Sequence, residues 1–180
     1  MFLGATEWHN PWLARVLPQI GLLVAHQPER SVFTRFIPLQ NKDEGVGTWR
    51  EYYSRWESMT LDVLGTEAIE IVGDLAHFIP PAIIIDKRCY SPWLTPDLQH
   101  HLKQGHIDTL IVSGGETDVC VLASVLGAVD RGYRVVLASD ALCSTCDETH
   151  DKAIDLYAQR FASQVDVAAV GEILSMLPKT

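Results

Sequence analysis

Two patterns of apolar positions alternate along this chain from residue 82 onward. The first is the short run rich in apolar residues: Ala82-Ile83-Ile84-Ile85, Thr109-Leu110-Ile111-Val112, Tyr133 to Ser139 and Val165 to Val170. Each reads as a strand, and the continuous run from Ala82 to Ile85 as one buried on both faces. The second pattern is apolar spacing near 3.6 residues, which predicts a helix after each run. Thr95-Pro96 starts one that reaches about Gln104 and stops at Gly105. A second covers 118–131 before Gly132, a third runs from Asp147 to about Phe161, and a fourth from Gly171 to Leu177. Strand–helix alternation predicts a parallel sheet with helices on both faces.

The first 81 residues are less regular. Asn10-Pro11 is a helix start, with Asn as cap and Pro at the first helical position. Leu13, Val16, Leu17, Ile20, Leu23 and Val24 follow at helical spacing, although Pro18 and Gly21 predict a kink or a split. Ser31 to Ile37 reads as a strand ending at Pro38, and residues 38–47 as a polar loop. Trp49, Tyr52, Tyr53, Trp56 and Met59 form an aromatic stripe near helical period over 48–60. Its ordinary meaning is core or interface packing; a substrate-lining lid is the alternative. Ile69 to Val72 reads as an extended connection, and Leu75 to Phe78 as one helical turn before Pro80-Pro81. There is no internal repeat or linker, so one domain over residues 1–180 is expected.

Composition narrows the function. A net charge of −9 with scattered Lys and Arg argues against nucleic acid as a partner. No apolar run approaches the roughly 18 residues that span a bilayer. Residues 1–20 lack the pattern of a signal peptide, so a cytoplasmic protein with reduced thiols is expected. Cys143 and Cys146 form a C-x-x-C pair. Two small residues in a loop is its ordinary reading, with a redox pair as the alternative. His100, His101 and His106 read as solvated. His150, with Asp147, Glu148 and Asp151, reads as helix-start chemistry, so no metal site is expected.

The segment Ser113-Gly114-Gly115-Glu116-Thr117-Asp118-Val119-Cys120-Val121 joins a strand to a helix and sets Cys120 in the first helical turn. Unpaired N–H groups and the positive dipole end favour thiolate there. Lys87 stands at the end of another predicted strand. In a parallel sheet both ends lie on one edge, so the ammonium and the thiol can meet. Lys87 pairing with Asp86 in solvent is the ordinary alternative. Backbone N–H groups of the glycine turn and of Cys120 are candidate oxyanion donors. There is no glycine-rich nucleotide motif.

Gly115 to Val121, Ala128 to Val135, Ser139-Asp140-Ala141 and Lys87-x-x-Tyr90-Ser91 together resemble the isochorismatase-like cysteine hydrolases over nearly the whole chain. The resemblance implies a three-layer α/β/α sandwich around a mostly parallel, Rossmann-like sheet of about six strands. It implies a Cys-Asp-Lys triad in which Cys120 is the nucleophile and Lys87 stabilises its thiolate. It also implies a cis peptide at Gly115-Glu116 and an oxyanion hole from the backbone N–H groups of Glu116 and Cys120. Arg35, Tyr90 and Trp93 would bind the substrate. No cofactor or metal is implied, and the metal-binding group of the nicotinamidase branch is missing. Partners would be a small-molecule substrate and further copies of the chain in a dimer or tetramer.

One departure matters. Family members open with a strand ending in the catalytic Asp, shortly before a segment like Met1-Phe2-Leu3. That strand is absent here, so Met1 is expected to be an internal methionine of a longer chain. Asp140 matches a later family position, and Glu7 lies beyond the usual Asp site. Three readings result: a hydrolase of small amides or ureides acting through Cys120, a binding or assembly subunit that lost its acid, and a thiol-redox protein using Cys143 and Cys146.

Overall fold

The computed structural model describes residues 2–178; Met1, on which the expectation of an internal start rests, lies outside them. The five strands are β1 (Val32–Phe36), β2 (Ile83–Lys87), β3 (Thr109–Gly115), β4 (Arg134–Cys143) and β5 (Val165–Ala168). The helices are α1 (Leu13–His26), α2 (Thr48–Arg55), α3 (Leu61–Leu64), α4 (Gly73–Ala76), α5 (Asp97–Gln104), α6 (Leu122–Val129), α7 (Asp147–Arg160) and α8 (Val170–Met176). Every ladder pair is parallel: β1 with β2, β3 with β4, and β4 with β5.

Alternation along the strands builds three layers. On β4, Val135 and Leu137 face a core formed with Leu98 and Leu102 of α5, Val125 and Ala128 of α6, and Ala153 and Tyr157 of α7. Val136 and Ala138 face the other way, toward Val16, Leu17, Ile20 and Val24 of α1, Leu75 of α4, and Val170 and Ile173 of α8. The helical residues repeat at three- and four-residue steps because each helix buries one stripe. The same division holds in β1, where Val32 packs against the first core and Phe33 against the second.

The strands form two ladders, β1-β2 and β3-β4-β5, rather than the single sheet of about six strands that the resemblance implies. No ladder joins β1 to β3 among the described residues, although Val32 of β1 and Leu110 and Val112 of β3 pack against the same core. Ile111, in the middle of β3, is consequently 39% exposed, an unusual exposure for a core-strand isoleucine.

Other expectations are adjusted locally. Helix α1 runs unbroken through Pro18 and Gly21, but it begins at Leu13 behind Trp12 rather than at Pro11, with Asn10 accepting the Trp12 N–H at 3.0 Å just before it. Ile69 ends a short 3₁₀ turn, Thr66–Ile69, rather than opening an extended segment. Strand β4 continues to Cys143, four residues beyond the apolar run. The turn holding Cys120, Thr117–Val121, is π-helical, and the regular helix begins only at Leu122.

Candidate active site

Period-two alternation decides which side chains of β1 and β2 can meet. Phe36 is registered with Lys87, and Arg35 with Asp86. Registered neighbours share a face, so Lys87 follows Ile83 and Ile85 toward the side of α5, α6 and α7, while Arg35 follows Phe33 to the other. The Lys87 ammonium lies over the Phe36 ring at 5.3 Å. The Arg35 guanidinium is held by Asp86 through two contacts of 2.7 and 3.0 Å, with Glu70 at 3.6 Å. Arg35, expected to face the substrate, is thus an ion-paired residue on the opposite face. Asp86 is committed to Arg35, which removes the solvated Lys87–Asp86 pair.

Lys87 is 5% exposed. Its Nζ donates to the carbonyls of Cys89 at 3.1 Å and Tyr90 at 2.8 Å, and to Cys120 Sγ at 3.2 Å. No carboxylate forms an ion pair with it among the described residues. A buried ammonium is costly unless its protons are satisfied. Two carbonyls and one sulfur use all three, and the third bond aims the charge at the thiol.

The β3–β4 pairing places the other half of the site. Gly115 is registered with Cys143, where a Cβ would lie 2.9 Å from Cys143 Sγ, so only glycine fits. Gly114 has φ +95°, a region that favours glycine, and the Gly115-Glu116 peptide is cis. Thr117 donates to the Cys143 carbonyl at 3.1 Å and contacts His150 Nδ1 at 2.8 Å. Asp118 accepts from the hydroxyls of Ser144 and Thr149. These bonds pin the turn to the end of β4 and the start of α7. None was legible in sequence, because the partners lie 26–33 residues apart.

Burial decides the state of the thiol. It pushes the Cys120 thiol above its ordinary pKa; the Lys87 charge and hydrogen bond pull it down, the Glu116 charge adds to the rise, and the Glu116 N–H lowers it. The helix-start argument for a ready thiolate is therefore outweighed by desolvation. The Glu116 carboxyl is itself pushed above the usual carboxylate range, first by burial, against hydrogen bonds from Thr145. The Thr145 N–H reaches Glu116 Oε1 at 3.3 Å.

An aromatic group lies beside the thiol. Trp49 contacts Tyr90 at 5.1 Å and Tyr52 at 5.3 Å between ring centroids. Tyr52 and Tyr90 share a hydrogen bond, and the Tyr90 hydroxyl feels the charges of Cys120 and Glu116. Trp8 bridges Tyr52, Tyr53, Trp56 and Phe36. The stripe over 48–60 is thus packed against other aromatic residues of this chain, including Tyr90, whose hydroxyl lies within electrostatic range of Cys120. Trp93, also expected to bind substrate, is instead a core residue. It is 7% exposed, stacks on Tyr133 at 5.7 Å, and donates from Nε1 to the Ser124 carbonyl at 2.8 Å.

The two other acids weighed from the sequence, Asp140 and Glu7, are engaged elsewhere. Asp140 accepts the Val170 N–H at 2.7 Å at the start of α8, and Glu7 accepts from Ser58. No group of three or more His, Cys, Asp or Glu that could hold a metal ion occurs among the described residues. No helix among them is long and apolar enough to cross a membrane.

The family model for the isochorismatase domain matches residues 1–169. The chain belongs to the isochorismatase family. An uncharacterized isochorismatase family protein of Bacillus subtilis, PncA, is 29% identical over 110 residues, which are 58% of this chain and 60% of that protein. Isochorismatase family protein 1A of Dictyostelium discoideum is 39% identical over 79 residues, 43% of this chain and 37% of that protein. The matched stretch thus spans less than two thirds of these relatives. The fold extends further than the sequence identity. An N-carbamoylsarcosine amidase from Thermoplasma acidophilum superposes with a TM-score of 0.71 at 17% identity, covering 94% of this chain and 90% of that one. Such neighbours fit the three-layer α/β/α architecture.

Proposed function

We propose that this chain is a cysteine hydrolase that cleaves a small amide- or ureide-type C–N bond through a Cys120 thioester. The observation that carries the reading is the buried Lys87 ammonium 3.2 Å from Cys120 Sγ, with its two other protons spent on carbonyls. No carboxylate among the described residues forms an ion pair with Lys87, and its charge faces the sulfur on which the thiolate would form. Family membership supports the hydrolase class, and the fold likeness to an amidase suggests the bond.

In this reading Cys120 Sγ attacks the carbonyl carbon. Lys87 stabilises the sulfur anion before attack and again when the thioester breaks. The backbone N–H groups of Glu116 and Cys120 receive the oxyanion. The amine leaves, water hydrolyses the thioester, and the thiol is restored. In this reading Tyr90 and Tyr52 would contact the acyl group. The reaction needs no cofactor.

The test is hydrolysis of a panel of small primary amides, N-carbamoyl compounds and ureides, read as released ammonia. The wild-type chain should release ammonia from at least one, and Cys120→Ala should release none above the uncatalysed rate. Equal release by the two proteins would end the reading.

A further inference from the structure

Lys87 Nζ and Cys120 Sγ touch at 3.2 Å, and both are held in place. The amine is anchored by the carbonyls of Cys89 at 3.1 Å and Tyr90 at 2.8 Å. The sulfur belongs to a turn tied down by Thr117, whose hydroxyl donates to the Cys143 carbonyl at 3.1 Å. Lys87 is buried, whereas Cys120 is partly exposed. A small oxidant therefore meets the sulfur before the amine. The other thiols of the region lack this neighbour. Cys146 is exposed, and the groups that bond its thiol are Thr149 and Glu148 rather than an amine. Cys143 is buried against Gly115, with Asn10 bonded to its sulfur.

We infer that Cys120 and Lys87 form a modification site, in which a hydroperoxide oxidises the thiol and the Lys87 amine closes onto the sulfur in a covalent S–N bond. Sγ attacks one peroxide oxygen, the O–O bond breaks, and the other oxygen leaves as water with the thiol proton. Sulfur is oxidised by two electrons to the sulfenic acid, and the peroxide is reduced. The Lys87 ammonium then gives one proton to the sulfenic hydroxyl. The nitrogen lone pair displaces that oxygen from sulfur as a second water, and a further proton passes from nitrogen to solvent. Nitrogen keeps one hydrogen, so one of the Cys89 and Tyr90 carbonyls loses its donor. Contact favours this closure. An amine fixed against the sulfur competes at high effective concentration with a second peroxide, whose attack would carry the sulfur irreversibly to sulfinic acid. A thiol reductant attacks the bridged sulfur and releases the amine, and a second thiol opens the resulting disulfide. The bridge thus stores Cys120 in a recoverable form, and its formation requires no substrate.

The full chain is treated with hydrogen peroxide near neutral pH, quenched with catalase, unfolded, alkylated on its remaining thiols and digested with trypsin. Cleavage after Arg88 leaves Lys87 in peptide 56–88 and Cys89 in the next one, while Cys120 lies in peptide 104–131. The main product of oxidised Cys120 should be peptide 56–88 joined to 104–131, lighter than their sum by two hydrogens and lost on prior treatment with dithiothreitol. Cys146 should carry oxygen on sulfur with no lysine attached. Lys87→Arg keeps the charge without a nucleophilic amine, so it should lose the bridge entirely and let dimedone label Cys120 instead. Free Lys87 beside a Cys120 sulfinic acid would overturn the inference. So would a Cys120–Cys89 disulfide, a bridge that retains a peroxide oxygen, or Cys120 left unoxidised once Cys146 is consumed. The wild-type peptide map decides all of these even if Lys87→Arg fails to fold. A bridge formed by a chain that cleaves no amide would uphold this inference and remove the hydrolase reading alone.

Discussion

Cys120 and Cys146 both stand where a helix begins, and they differ in almost everything else. Cys120 lies in the turn before α6, largely withdrawn from water, and burial pushes its thiol up despite a lysine at 3.2 Å. Cys146 is the residue before α7, exposed, and hydrogen bonds with Thr149 bring its thiol down. This corrects the reading of the C-x-x-C pair as two small residues in a loop. Cys143, at the end of β4 and 1% exposed, is pushed up to about 12 by burial and the Glu116 charge. A helix start alone does not make a reactive thiol. Solvation sets the baseline, and the specific neighbours act on top of it.

The comparison breaks most directly at Cys120. Cys120→Ser should lower ammonia release at least about a thousandfold, whereas Cys146→Ser should leave it within about twofold. Equal losses would mean that the exposed thiol takes part. Lys87→Met comes next, with turnover expected to fall on the order of a hundredfold. Because the ammonium lowers the Cys120 thiol pKa, its removal should also slow alkylation of Cys120 at pH 8, with no change at Cys146. A third measurement needs no substrate. In the native wild-type protein at pH 7, iodoacetamide should label Cys146 about tenfold faster than Cys120 or more, and leave Cys143 unlabelled. Labelling of Cys120 first would show that Lys87 outweighs burial.

The smallest expected effect is on stability. A carboxyl with a raised folded pKa contributes fully below its unfolded value, about 4.3, and loses that contribution as pH rises through the folded value. Glu116→Gln should therefore match the wild-type Tm at pH 4 and exceed it by about 2 °C at pH 7.5. An advantage at pH 4 that disappears at pH 7.5 would reverse the sign and place Glu116 in a favourable charged pairing.

Much of the frame was legible because it rests on local pattern. Apolar runs of four to seven residues followed by helical spacing gave β2 through α8 in order, and Gly105 and Gly132 gave two helix ends. Thr66–Ile69 was missed because a one-turn helix has too few residues to show a period. The extension of β4 was missed because Asp140 interrupts the apolar run, yet its side chain is used on the Val170 N–H. Trp93 and Arg35 were assigned to substrate by position. Trp93 lies against Gly127, where a Cβ would come within 2.2 Å of its ring, so the pair packs only because residue 127 is glycine. Such complementarity has no signature in a single chain read alone.

By itself, then, the sequence determined the alternating elements, the parallel connection rule and the presence of Lys87 and Cys120 at strand ends, because period and turn chemistry are properties of neighbouring residues. Only the tertiary structure decided which strand faces meet, that the ladders separate between β1 and β3, and that Arg35 and Trp93 turn elsewhere. It alone decided that burial outweighs the ammonium at Cys120 and that the Glu116 charge reaches the sulfur. Those outcomes depend on distance through space and on exclusion of water, and neither quantity exists until the chain has folded.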